Sequence, residues 1–323
     1  MNKQHNTFHR ALSALLVMVA LAWSVPAFAS HIIGAEIRYQ CLGNDEYKII
    51  LDVYRDCFYG QAGFDDPVYI NAFKTDGTYI GSLNIALSPL STDTLDNNIS
   101  DDPCLLPPED VCVEHARYEG VYTINEPGGI YLVYQRCCRN ATISNIEMPE
   151  FTGSTYFTYI SPESRAVCNS SPQFDFYPPI FVCVGKAIEH EHAATDTFNQ
   201  ENDSLVYRFY TPFEGATFDA PDPGPGQVSP PPYDTVVWVD PPYNLNALLG
   251  PSSVGELSID LHTGLITGFP EIQGQFVVGV LVEEYRNGVL LSVTRRDFQY
   301  NVGECVEVEA EIAANQVQCD DLT

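Results

Sequence analysis

The sequence predicts an all-β protein built as two tandem immunoglobulin-like β-sandwich domains behind a signal peptide. Short runs of alternating, β-branched or aromatic residues recur along the chain, and Gly, Pro, Asn and Asp divide them. Beyond the first thirty residues no segment repeats apolar side chains at helical spacing.

In chain order the runs are Glu36–Cys41, Tyr47–Tyr54, Val68–Phe73, Ile130–Gln135, Thr155–Ile160, Leu205–Tyr210, Val236–Val239, Phe276–Val282 and Phe298–Val302. In the last of these, Phe298-Gln299-Tyr300-Asn301-Val302, the period is two, as a strand with one face on a core requires. Two hairpins are explicit in their turn chemistry. Asp76-Gly77 lies between Ile70–Lys74 and Tyr79–Leu83, and Asn287-Gly288 between Val280–Tyr285 and Val289–Thr294. Both dipeptides tolerate the positive φ angles of tight turns.

Lys3 and Arg10, the apolar run Ala11–Trp23 and the small residues of Ala27-Phe28-Ala29 read as a signal peptide over 1–29, with the mature chain starting at Ser30. No later stretch reaches the roughly 20 apolar residues of a membrane helix, so no membrane span is expected. Turn residues clustered between Ile160 and Pro179 put a boundary between a first domain, 30–165, and a second, 166–303, leaving 304–323 as a tail or the start of a further region. Asp219–Pro232, with six prolines and two glycines, reads as a long semi-rigid loop within the second domain.

A net charge of −28 repels phosphate backbones, which argues against nucleic acid as a partner. The ten cysteines are even in number and contain no Cys-x-x-Cys pair, so disulfides are expected at Cys41, Cys57, Cys104, Cys112, Cys137, Cys138, Cys168, Cys183, Cys305 and Cys319. If Cys137 and Cys138 lie on a strand their side chains oppose each other, which gives them different partners; Cys41 and Cys57 are the expected ones, although ten cysteines allow roughly 945 connectivities and the sequence selects none of them. Cys104 with Cys112, Cys168 with Cys183 and Cys305 with Cys319 are then the local pairs, and a vicinal Cys137–Cys138 bridge is the alternative.

The runs SHIIGAEIRYQCLGNDEYKIILDVYRDC, YLVYQRCCRNATISNI, DSLVYR and FVVGVLVEEYRNGVLLSVTRRDFQYNVG resemble the amino-terminal region of Bacteroidota surface proteins associated with gliding motility and exported by the type IX secretion system. SIDLHTGLITGFPEIQGQFVVGVLV resembles the closing half of an immunoglobulin-like or cadherin-like module. The resemblance implies surface attachment, with other surface proteins or surface glycans as partners. Asp93-Thr94-Leu95, Asp203-Ser204-Leu205 and Asp234-Thr235-Val236 resemble the O-glycosylation acceptor of that phylum.

Cadherin-like modules also suggest calcium, with Asp196 and Asp203 flanking a loop that holds Asn199, Glu201 and Asn202, and with Glu283 and Glu284 on another strand. His190 and His192, two apart, share a face if they lie on a strand, but no third metal ligand is evident. His31 raises a copper-dependent polysaccharide oxidase, which cleavage before Ser30 disfavours by removing the terminal amine from the histidine. No nucleophile elbow, phosphate loop or dinucleotide fingerprint occurs, and the chain reads as a surface or extracellular binding module rather than an enzyme. The alternative is a carbohydrate-binding module, which the aromatic content of 12% permits. The preferred contact surface is the loop Phe213–Tyr233, with the expectation that a Gly-Ser replacement leaves thermal unfolding nearly unchanged.

Overall fold

The computed structural model describes residues 32–60, 62–88, 91–95, 105–106, 108, 110–196, 203–307, 309–313 and 316–320. The segment 1–29 read as a signal peptide, Ser30, His31, Cys104, Asn199, Glu201 and Asn202 lie outside the described residues, as does the Cys319 side chain. The described chain is almost wholly β. Its only helical pieces are a single turn at Pro149–Phe151 and the short helix α1 (Pro162–Ala166), capped by the Ser161 hydroxyl accepting from Ser164 N at 3.0 Å.

The largest sheet runs β14 (Asp203–Tyr210), β17 (Gly274–Arg286), β18 (Val289–Gly303), β1 (Ile32–Gly43), β2 (Glu46–Asp56), β7 (Val113–Thr123), β5 (Thr92–Thr94), and β11 (Phe181–Cys183) joins β18 in parallel. A second sheet runs β4 (Tyr79–Ile85), β3 (Val68–Lys74), β8 (Ile130–Arg136), β9 (Ser154–Ile160). Smaller sheets pair β12 (Ile188–Glu191) with β16 (Leu265–Gly268) and β15 (Ser258–Ile259), and β10 (Gln173–Phe174) with β13 (Ala194–Thr195). Within the region read as a tail, β19 (Val306–Glu307) pairs β6 (Leu105–Leu106), and β20 (Glu309–Ala313) pairs β21 (Gln316–Asp320).

The boundary expected near 165/166 runs between two cores but not between two sheets. Strand β1 from the first segment pairs β18 from the second, with Ala35 opposite Asp297 and Glu36 opposite Arg296. Because side chains alternate along a strand, the two faces of this common sheet serve different cores. Ala35, Ile37 and Tyr39 of β1 pack with Leu51, Val53 and Tyr118 against Ile70, Leu132 and Tyr156 of the second sheet, forming a sandwich. Phe298 and Tyr300 of β18 share the face of Arg296, opposite that of Asp297, and pack with Phe276, Val278, Val280, Phe174, Ile188 and Ile266. The two cores therefore lie on opposite sides of one wall. Gly34 is needed where β1 meets β18, since a Cβ there would stand 2.2 Å from the Asp297 carbonyl oxygen.

On the face turned away from the first core, the wall carries buried ion pairs. Arg296 bonds Glu36 at 2.7 Å, and Asp52, fully buried, accepts from Arg117 at 2.7 Å and from His115 at 2.7 Å. Burial raises the Asp52 carboxyl, but its hydrogen bonds from His115 and Arg117 outweigh this and hold it below the ordinary range.

The Asn287-Gly288 turn closes β17 onto β18 with φ of 52° and 79°, and Asp76-Gly77 closes β3 onto β4. Val236–Val239, expected as a strand, is not one. Only isolated bridges occur here, from Thr235 just before it to Phe213 and from Trp238 within it to Ile146, and no continuous ladder forms.

The disulfides correct every expected pairing that falls on described residues. They join Cys41–Cys168, Cys57–Cys112, Cys183–Cys305 and Cys137–Cys138. Cys137 and Cys138 follow the end of β8, so strand alternation does not separate them, and they bond each other instead of Cys41 and Cys57. Cys112 is taken by Cys57, not Cys104, because antiparallel β2 and β7 put Asp56 opposite Val113 and so set the flanking cysteines side by side. Cys168 bonds Cys41 rather than Cys183, in a segment tied to β1 where Ser171 N donates to Tyr39 O. Cys183 bonds Cys305, leaving no Cys305–Cys319 bridge, because β11 runs beside the end of β18.

Candidate functional site

The two aspartates singled out for calcium do converge. Asp196, Asp203 and the buried Glu284 bring one carboxylate oxygen each within 4.8 Å of one another. The sequence reading missed Arg286, which spans Asp203 in two-pronged fashion, Nε to Oδ1 at 2.7 Å and Nη2 to Oδ2 at 2.6 Å. Asn169 and Ser292 both donate to Glu284 Oε2, at 2.7 and 2.5 Å. Arg286 holds the Asp203 carboxyl below its ordinary range, while burial pushes Glu284 up. A calcium ion takes six to eight oxygens. The described residues do not fit one, because a guanidinium already occupies both Asp203 oxygens and supplies the positive charge.

His190 and His192 share a face as their spacing requires, with ring centroids 6.1 Å apart. His190 Nε2 meets the Tyr300 hydroxyl at 2.5 Å. His192 is fully buried between Phe174 and Phe298, and neither of its ring nitrogens has a hydrogen-bond partner. Burial lowers both imidazoles, His190 to about 4 and His192 further, so these are neutral core side chains.

The segment after the vicinal cysteines runs along the junction of the two halves. Arg139 pairs Asp297 at 2.8 Å with both side chains buried, and donates to Phe213 O at 3.2 Å. Asn145 donates to Leu248 O and Val277 O and accepts from Val277 N, at 3.0, 2.9 and 3.0 Å. Beside this strut lies a cleft of about 660 Å³. Its walls carry Asp56, Asn140, Gln275, Gln299 and Asn301, with Ile33, Val113 and Phe181 between them and Tyr59 and Asp110 also lining it. Asn140 Nδ2 faces Asp56 Oδ2 at 3.5 Å, and Gln299 Nε2 donates to Asn301 Oδ1 at 2.9 Å. The buried Gln299 Oε1 has no partner. Sequence inspection missed these residues, which come from strands and loops far apart in the chain.

The loop expected to form the contact surface is not a free appendage. Val228, Phe213 and Tyr233 pack on Phe73, Val133 and Phe157 of the second sheet. Ser229 N donates to Gln135 Oε1 at 3.0 Å, Gly226 N to Asn71 Oδ1 at 2.7 Å, and Cys137 N to Pro221 O at 2.9 Å. Over this base a groove of about 620 Å³ contains Glu214 and Gln227, with Met148 and Phe151 on its lining. Phe151 and Phe218 meet edge to face at 5.6 Å and are 56% and 42% exposed, and Met148 is 65% exposed. Among the acceptor-like motifs, Thr94, Ser204 and Thr235 are all exposed.

The chain matches no protein-family model, no curated protein and no solved structure. No helix among the described residues is long and apolar enough to cross a membrane.

Proposed function

We propose that the chain is an exported module of a cell surface or extracellular matrix whose work is contact with other surface molecules, in adhesion or gliding. The observation that carries this reading is the apolar rim of Met148, Phe151 and Phe218 standing in solvent beside a loop packed onto a sheet. Exposed apolar side chains grouped on a rigid base mark interaction surfaces, since a monomer gains nothing by hydrating them. Disulfides belong to oxidising compartments, which agrees with export. The motif resemblance to surface proteins of the type IX secretion system points the same way.

The loop packing changes how the reading is tested. Replacing the loop with Gly-Ser would remove Val228, Phe213 and Tyr233 from their apolar contacts and destabilise the sheet, contrary to the sequence expectation. Point substitutions at exposed atoms avoid this. In a producing cell, deletion of the chain is expected to impair surface attachment, wild type to restore it, and Phe151→Ala with Phe218→Ala to fail at unchanged thermal midpoint. Normal attachment by the double variant refutes the reading. So does turnover of a polysaccharide, peptide or ester that one side-chain substitution abolishes.

The alternative, a carbohydrate-binding module, is favoured by one separate observation, the amide-lined cleft at the junction.

A further inference from the structure

We propose that the junction cleft binds a neutral sugar unit of a glycan. The inference rests on the exported reading only in that such a chain meets glycans outside the cell, and it concerns a different surface from the apolar rim.

The cleft's volume of about 660 Å³ is that of a ligand site, which for small molecules runs from about 300 to 1,000 Å³. Its chemistry narrows the ligand. Asn140, Gln275, Gln299 and Asn301 set planar side-chain amides around one cavity with the Asp56 carboxylate. Part of this polarity is paired within the wall, where Thr142 donates to Asn140 Oδ1 and to Gln275 Oε1, Gln299 donates to Asn301 and Asn301 donates to Ile180 O; the lone pairs and N–H groups that remain suit hydroxyls, which both donate and accept. Gln299 Oε1 is the decisive atom: it is a buried acceptor without a partner, a state that is unfavourable and that a ligand donor relieves.

Among the described residues no Lys, Arg or His lines the cleft, whereas Asp56 and Asp110 do, so phosphate, sulfate and uronate groups meet like charge. The same charge attracts an ammonium ion, which makes an amine the competing ligand in the test, although both carboxylates already accept hydrogen bonds within the wall. Asp56 Oδ1 accepts from Phe58 N and Tyr59 N at 2.8 and 2.9 Å, and Asp110 accepts from the Tyr59 hydroxyl at 3.0 Å. Tyr59 leaves its ring half in solvent, with Phe58 against it edge to face at 4.8 Å, presenting apolar faces on which the C–H face of a sugar ring can lie.

The test is calorimetric titration of the full chain with neutral β-glucan, mannan, galactan and chitin oligomers, with polygalacturonate as the anionic probe and a lysine amide as the cationic one. At least one neutral oligomer is expected to bind, polygalacturonate and the amine not at all. Tyr59→Ala, at an exposed position, is expected to weaken sugar binding at least tenfold at unchanged unfolding midpoint. Absence of neutral-sugar binding overturns the proposal. Equal binding by wild type and Tyr59→Ala, or preference for the amine, also overturns it. Loss of sugar binding in Tyr59→Ala with attachment through Phe151 and Phe218 intact supports the sugar site independently. Failure of those rim substitutions to affect attachment removes the contact reading and leaves the cleft standing.

Discussion

Replacing Arg139 with Met strands Asp297 as a buried, unpaired carboxylate at the junction, and this tests the shared wall directly. Both side chains are 2% exposed and their charged atoms lie 2.8 Å apart. Breaking such a pair from one side costs about 3–5 kcal/mol, because the remaining charge keeps its desolvation penalty without its partner. At about 2 °C of midpoint per kcal/mol for a chain of this size, Arg139→Met lowers the thermal midpoint by roughly 6–10 °C. Removing both charges behaves differently. Arg139 Nε and Asp297 Oδ1 have no hydrogen-bond partner, so the pair is imperfectly satisfied and Arg139→Met with Asp297→Leu recovers most of the loss. Urea unfolding of wild type, the two single variants and the double variant measures the coupling as a mutant cycle. Single variants costing under about 1 kcal/mol, or a double variant as unstable as the sum of the singles, refute a buried pair holding β18 to the strut.

Acid weakens the second core through His190 and His192. Their folded-state values lie below the ordinary 6.5, so the unfolded chain takes up protons first as pH falls, and stability drops by about 1.4 kcal/mol per pH unit for each site below pH 6.5. Replacing His192 by Phe is expected to flatten the profile between pH 6.5 and 5, and urea midpoints unchanged across that window refute the neutral burial. His115 has the opposite sign: burial lowers it, but Asp52 and Asp93 outweigh this and raise it, so its contribution is present below pH 6.5 and fades as pH rises through its folded value. Millimolar calcium and a chelator are expected to leave the thermal midpoint alike, since Arg286 already holds both Asp203 oxygens; a calcium shift of several degrees means that the cluster takes the ion. Replacing Cys41 and Cys168 by Ala opens a loop with a sequence separation of 127 and is expected to cost about 4–5 kcal/mol, and non-reducing peptide mapping that joins either cysteine elsewhere refutes the pairing.

Most strands were legible because apolar and polar residues alternate along them; in Phe298–Val302 the apolar set packs in the second core, while Gln299 on the other face is buried as well, against the expectation of a single buried face. Val236–Val239 shows the limit of that signal. Its residues have β propensity, and Val236 is buried while Val237 is 54% exposed, but pairing depends on what lies alongside, which is a strut rather than a strand. The same limit governs the cysteines. Cys57 and Cys112 become neighbours only through the register of β2 on β7, and Cys183 and Cys305 only through the parallel entry of β11 beside β18. Asp196 and Asp203 were found from their residue type, while Arg286, which decides what their cluster binds, lies on β17 and becomes visible only once β17 pairs β14.

The QRCCRNATISNI run is polar enough to look like a reactive site, yet much of its polarity serves the joint between the cores. Arg139 neutralises a carboxylate, and Asn145 satisfies backbone groups at Leu248 and Val277 where the ladder of β17 has no strand partner on that side. Two apolar cores on opposite faces of one sheet leave backbone and charged groups exposed to each other where the halves meet, and polar side chains are the means of satisfying them. Once those groups are paired, a concave surface lined with amides remains beside the strut. Asn140, in the same run, faces that surface rather than the joint. The joint and the cleft thus have one origin. A binding site of this composition follows from how the halves are joined, and its hydrogen-bonding groups are held in place by the same contacts that hold the two cores together.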